Sequence, residues 1–130
     1  MKPFKIAIVA IYSGLMLGTS LIPMEVDVPD PSFVSRIPPT WQNFLHLPLF
    51  ARFAPLLLDG AKAWQLGKAK AVLLAAALTL GFGVFLELLQ APIPGRYPSH
   101  LDMLFNLLGG CIGIALYLGK EKARPERKSF

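Results

Sequence analysis

The sequence predicts an all-α integral membrane bundle of four transmembrane helices, and three observations predict it. Of 130 residues, 54% are hydrophobic and 16% charged, against roughly 45–50% and about 25% in an ordinary soluble domain. The apolar residues collect in four runs parted by segments rich in Pro, Gly or Lys. The basic residues sit at the ends of those runs rather than along a face. A soluble chain of this size buries only about two thirds of its unfolded surface. A mean hydropathy of +0.52 would then leave large apolar patches in water, which excludes a soluble globule. A net charge of +5 that forms no basic face excludes nucleic acid as a partner. Cys111, the single cysteine, excludes an intramolecular disulfide framework and a multi-cysteine metal site.

The first helix is expected over about residues 4–22. Ile6 to Ile22 is 17 residues without a charge, at the short end of what crosses a hydrocarbon core about 30 Å thick. Lys2, Lys5 and the small residues Gly18-Thr19-Ser20 also suit a cleaved signal peptide. The run exceeds the usual apolar stretch of about 7–15 residues, and three more follow, which favours a retained helix. Pro23 closes it. Residues 23–43 carry Glu25, Asp27, Asp30 and the prolines Pro23, Pro29, Pro31, Pro38 and Pro39, an acidic loop in which regular helix is disfavoured.

The second helix, about 43–58, contains His46, Pro48, Arg52 and Pro55. An isolated mid-span Arg costs roughly 2.5–3.5 kcal/mol to insert, so Arg52 must face protein or water. A kinked or partly re-entrant helix is expected. Residues 59–70 read as a polar connection with Lys62, Lys68 and Lys70. The third helix, about 71–91, carries one charge, Glu87, near its end. A turn from Pro92 to His100 leads to the fourth, about 101–119, and residues 120–130 form a short basic tail. The whole chain, 1–130, reads as one membrane domain.

Lys2, Lys5, Lys62, Lys68, Lys70, Lys120, Lys122, Arg124, Arg127 and Lys128 fall on one side of the spans, and Arg36 and Arg96 on the other. Ten against two places both termini in the cytoplasm by the positive-inside rule.

The polar residues of the spans carry the chemical question. Glu87 and Gln90 are spaced i, i+3 and share one face near the end of helix 3. Asp102, Asn106, Gly109 (or Gly110) and Gly113 form one stripe along helix 4, polar above and small below, which suits hydrogen bonding above and close helix approach beneath. At 1.5 Å of rise per residue, Glu87, Asn106 and His46 lie roughly 4–8 Å inside the outer boundary, and Arg52 at about 13 Å must extend outward to reach them. Arg96 would cap the set. The bland alternatives stay open. Asp102 suits a first-turn acid complementing the helix dipole, with Ser99 as a neighbouring cap. His46 suits a satisfied interior histidine, and Glu87 an ion-pair partner of Arg52 or Arg96. Polar groups also hold membrane helices together at about 0.6 kcal/mol per hydrogen bond. One His with scattered carboxylates lacks metal-ligand spacing, and no cofactor is expected. Gly14 and Gly18 form GxxxG in helix 1, and with Gly109, Gly110 and Gly113 they read as helix-packing positions. No Gly-rich phosphate loop, nucleophile elbow or HExxH is present.

The run Glu87-Leu88-Leu89-Gln90, followed by Pro94-Gly95-Arg96, Ser99, Asp102, Asn106, Gly109 and Gly113, resembles the signature of the VanZ-like family of small membrane proteins. The resemblance covers about residues 41–119, and Ser20-Leu21-Ile22-Pro23 is similar to the family's first segment. Helix 2 departs from the pattern: the family commonly has an Asp-Lys pair four and three residues before the His and a Tyr four after it. Gln42, Asn43 and Phe50 stand there, with His46 retained. The resemblance implies an integral membrane protein. The family's founding member is associated with teicoplanin resistance, which is not transferred to this chain.

The expected function is a polar pocket in the outer leaflet that binds a polar or anionic envelope lipid headgroup. Arg96 and Arg52 would hold phosphate, and Glu87, Gln90, Ser99, Asp102 and Asn106 would orient the headgroup. An alternative makes Glu87 or His46 a general base in headgroup chemistry. A third makes the chain a structural or assembly subunit of a membrane complex. The expected partners are membrane lipid and either a second copy or another membrane protein. The expected location is the bacterial cytoplasmic (inner) membrane.

Overall fold

A computed structural model describes residues 3–22, 39–62, 64–96 and 99–123. The acidic, proline-rich stretch 23–38 and the residues from 124 on lie outside the described residues. The described chain is four helices: α1 (Pro3–Ser20), α2 (Pro39–Lys62), α3 (Lys68–Gln90) and α4 (His100–Ala123). Proline opens both α1 and α2, where its missing N–H is no loss and its fixed φ suits the first turn. Gln65, at a φ of 57°, turns the chain from α2 into α3. The α3–α4 turn uses Gly95 at a φ of 74°, a left-handed conformation that glycine adopts without steric cost. Ser99 starts α4: its carbonyl accepts from the Asp102 and Met103 N–H groups, and its hydroxyl accepts from the Leu101 N–H at 3.2 Å.

The helices alternate in direction. The ends of α1 and α3 and the starts of α2 and α4 share one pole, called here the turn end. The opposite pole, the basic end, gathers Lys5, Lys62, Lys68, Lys70, Lys120 and Lys122. The segments Asn43–Lys62, Lys68–Gln90 and His100–Ala123 are each long and apolar enough to cross a membrane, and Phe4–Ser20 is a shorter apolar helix. The exterior is apolar as well: Leu73 is 72% and Leu88 69% exposed, a surface that belongs against lipid.

Three boundaries differ from the sequence reading. α2 starts at Pro39 and ends at Lys62 rather than covering 43–58, and it runs unbroken through Pro48 and Pro55 instead of re-entering. At Pro55 a neighbouring helix presses close to the carbonyl that the proline deprives. Pro55 removes the usual i+4 donor to the Ala51 carbonyl, and Gly113 of α4 lies directly against that carbonyl. α4 extends to Ala123, so the beginning of the expected tail is helical. There Lys62 pairs with Glu121, and the Lys62 ammonium lies 4.7 Å from the centre of the Tyr117 ring.

α2 is the central helix, touching α1, α3 and α4 and packing most extensively on α4. A side-chain carbon on Gly109 would lie 3.1 Å from both the Leu47 carbonyl carbon and the Ala51 nitrogen, and one on Gly110 would lie 3.0 Å from Thr79 Cγ2. These glycines permit the α2–α4 and α3–α4 seams. Gly14 and Gly18 do not act this way: both are exposed, and no described atom lies within 4 Å of a side chain built on them. Among the described residues the GxxxG face of α1 therefore meets no helix of this chain. The apolar core has two parts. Met16, Phe50, Phe53 and Leu86 fill the upper half, and Leu58, Ala61, Ala71 and Ala75 the half near the basic end.

At the basic end Asp59, read from sequence as part of a linker, is inside α2. It accepts from Lys5 at 3.2 Å and from the Tyr117 hydroxyl, tying α1, α2 and α4 together.

Candidate functional site

The α3 face that meets the bundle reads Ala71, Ala75, Thr79, Gly83, then Leu86, Glu87 and Gln90. Small residues at i, i+4 spacing bring α3 close to its neighbours, and the same face turns polar over its last turn. On α4 the buried face is Asp102, Asn106, Gly109, Gly110 and Gly113. The two faces meet at the turn end, where His46 of α2 joins them.

His46 Nδ1 and Asn106 Oδ1 are 2.8 Å apart. The His46 ring stacks on Phe50 with centroids 6.3 Å apart and planes 6° apart. Asn106 Nδ2 lies where a side chain on Gly83 would come within 3.0 Å of it, so glycine makes room for the amide. Glu87 Oε2 accepts from the Ser99 N–H at 3.2 Å. Asp102 projects from the first turn of α4 one helical turn from Asn106. Glu87 lies within electrostatic reach of Asp102, His46 and Arg96.

Three atoms of this cluster are buried and have no hydrogen-bond partner among the described residues: Glu87 Oε1, Asp102 Oδ1 and Asn106 Nδ2. Their residues are 5%, 6% and 2% exposed. Buried polar groups are nearly always hydrogen-bonded, and each exception carries a desolvation penalty of about 1–3 kcal/mol, larger for a charge. The three atoms lie on facing turns of α3 and α4.

The two arginines stand elsewhere. Arg96 donates from Nε to the Ile22 carbonyl at 3.3 Å and from Nη2 to the Thr19 carbonyl at 3.1 Å. It thereby caps the orphan carbonyls at the end of α1. Burial pulls the Arg96 guanidinium down from its ordinary pKa, opposed by the negative charges of Asp102 and Glu87, and it stays charged at neutral pH. Gln90 does similar work, donating to the Ser20 carbonyl at 3.2 Å. Arg52 is exposed and lines a groove toward the basic end with Lys5, Pro55, Asp59 and Tyr117. The structure thus brings together His46, Glu87, Asp102, Asn106 and Ser99, places Gln90 and Arg96 at the rim against α1, and leaves Arg52 outside. The expected outward reach of Arg52 is corrected: the groove on its own helix face opens toward Asp59, not Glu87.

An apolar groove runs from Asn106 along the α3–α4 seam, lined by Ala76, Leu80, Leu107, Cys111 and Ile114. The sequence did not reveal it, because it needs the register between two helices. The carbonyls of Thr19, Ser20 and Ile22 were likewise missed as partners. The signal available was Pro23, which ends the helix and leaves those acceptors open. Among the described residues no hydrogen bond links Glu87 to His46. No group of three or more His, Cys, Asp or Glu is arranged for a metal ion among them.

Fold and site together define a small helical membrane protein with a buried, partly unsatisfied polar cluster at one pole of its spans. The chain belongs to the VanZ/LLP1 family, whose family model matches residues 5–121, a wider extent than the 41–119 read from its motifs. No curated protein and no solved structure matches the chain.

Proposed function

We propose that this VanZ/LLP1 family protein binds the headgroup of a polar membrane lipid at its turn end, in a role at the cell envelope. The observation that carries the reading is the trio of buried, unpartnered polar atoms on Glu87, Asp102 and Asn106. Ionisable groups inside a span are expensive and are retained where they meet a ligand or a partner. A lipid reaches them laterally, through the groove beside Asn106, without crossing water.

The site then faces the outer leaflet. Its support is the crowding of basic residues at the opposite pole, which marks the cytoplasmic side. A reporter fused after Phe130 that is active only in the cytoplasm should therefore be active, and one inserted between residues 23 and 38 silent. The reverse pattern would move the pocket to the inner leaflet.

Glu87→Leu tests the binding reading. Native mass spectrometry of the detergent-purified chain with an added phospholipid extract should show lipid retained by the wild type and about tenfold less by the variant. Thermal stability should stay within about 1 kcal/mol, because removal of an unsatisfied buried oxygen offsets loss of the Ser99 N–H bond to Glu87 Oε2. Unchanged lipid retention with a lowered melting temperature would make Glu87 a packing residue and end the proposal.

A further inference from the structure

We infer that the lipid is an aminophospholipid, whose primary ammonium is received by Glu87 and Asp102 while its phosphoester oxygens accept from Asn106. This rests on the headgroup reading above and specifies the chemistry of the same site.

Two of the three unpartnered atoms are carboxylate oxygens, Glu87 Oε1 and Asp102 Oδ1, and the third is an amide N–H2, Asn106 Nδ2. An ionised carboxylate only accepts hydrogen bonds, and an amide nitrogen only donates them. The complement is a donor-rich cation joined to an acceptor. An anionic headgroup would set its charge against two acids. Arg96 offsets part of that repulsion, since its charge reaches both acids, but its Nε and Nη2 donors are taken by the end of α1, and Arg52 lies in the separate groove with Lys5 and Asp59.

The order of groups along the seam matches the order of groups in such a lipid. Ile114, Cys111 and Leu107 line the apolar groove, Asn106 stands at its polar end, and Asp102 follows one turn nearer the turn end. Acyl chain, phosphoester and ammonium succeed one another in the same direction. Four residues of helix give about 6 Å between the levels of Asn106 and Asp102, comparable to the reach of an ethanolamine phosphate. Three N–H donors on a primary ammonium satisfy both orphan oxygens with charge-assisted bonds. A quaternary ammonium has no N–H to offer them.

The test uses the purified full chain and three lipids with identical acyl chains: phosphatidylethanolamine, phosphatidylcholine and phosphatidylglycerol. Binding of phosphatidylethanolamine should be about tenfold tighter than of either other lipid, the value of one charged hydrogen bond. In the isosteric pair Glu87→Gln/Asp102→Asn this preference should fall to within about twofold. Wild-type discrimination alone decides the matter if that variant does not fold. Equal or tighter binding of phosphatidylglycerol, equal binding of phosphatidylcholine, or an undiminished preference in the variant would overturn the ammonium assignment and leave headgroup binding standing. Retention of no lipid at all would remove both. Competition by soluble phosphoethanolamine as effective as that of the lipid would reassign the site to a free amine and overturn the lipid source.

Discussion

Gly113→Leu is expected to abolish the folded bundle, or to lower its stability by more than about 3 kcal/mol. Inserting carbon into a packed interior typically costs about 1–3 kcal/mol when side chains can move aside. Here the obstacle is main chain. A side-chain carbon on Gly113 meets the Ala51 carbonyl oxygen directly and comes within 2.8 Å of its carbon and 2.9 Å of Ala51 Cα. Retreat of α2 would open the α2–α4 seam along its length and strip Gly109 of its contact with Leu47. The close approach also covers the Ala51 carbonyl that Pro55 leaves without its helical donor. Thermal unfolding in detergent, or the monodisperse fraction on size exclusion, reads the effect. Gly18→Leu is the matched control and should stay within about 0.5 kcal/mol, since its site is open. Equal damage at both positions would show that loss of glycine, not the seam, is responsible.

Asn106→Leu should lower stability by about 1–3 kcal/mol, because it strands the buried His46 nitrogen that Asn106 Oδ1 meets at 2.8 Å. Removing both partners is a different change. In His46→Phe/Asn106→Leu the new ring keeps the stack on Phe50, and no polar atom of the pair is left unmet. The double variant should recover to within about 1.5 kcal/mol of the wild type. It should still fail to retain lipid, since the amide that faces the groove is gone. A double-mutant cycle supplies the decision. Strictly additive losses would mean that the histidine and asparagine act separately.

The membrane class and the four helices were legible because they depend on composition and on runs of apolar residues, which need no knowledge of neighbours. The polar stripe of α4 was legible for a related reason: Asp102, Asn106 and Gly113 share a face by helical spacing alone. What the sequence withheld are relations between helices. Arg52 was assigned to the cluster from its depth, but azimuth decides which neighbour a side chain meets, and depth says nothing of azimuth. Gly14 and Gly18 have the same spacing as Gly109 and Gly113, yet only the second pair has a helix against it. Asp59 looked like linker because a charge seems to end a span. Its bonds to Lys5 and Tyr117 let α2 continue one turn past it. The rim contacts of Arg96 and Gln90 join residues more than 65 positions apart, beyond any local pattern.

The way α1 is attached divides the molecule unequally. α2, α3 and α4 are zipped by small residues into a dry block that heat or detergent must pull apart all at once. α1 lies against that block as a panel, fastened at its end by Arg96 and Gln90 and near its start by Lys5, with the Tyr12 hydroxyl pinned to the Leu49 carbonyl at 2.9 Å between them. Two of these three fastenings lie near the poles, where the Lys5–Asp59 pair is partly exposed and the Gln90–Ser20 bond is buried. α1 packs least on its neighbours although Met16 reaches the core, so displacement of one helix against the rest is expected first in the panel.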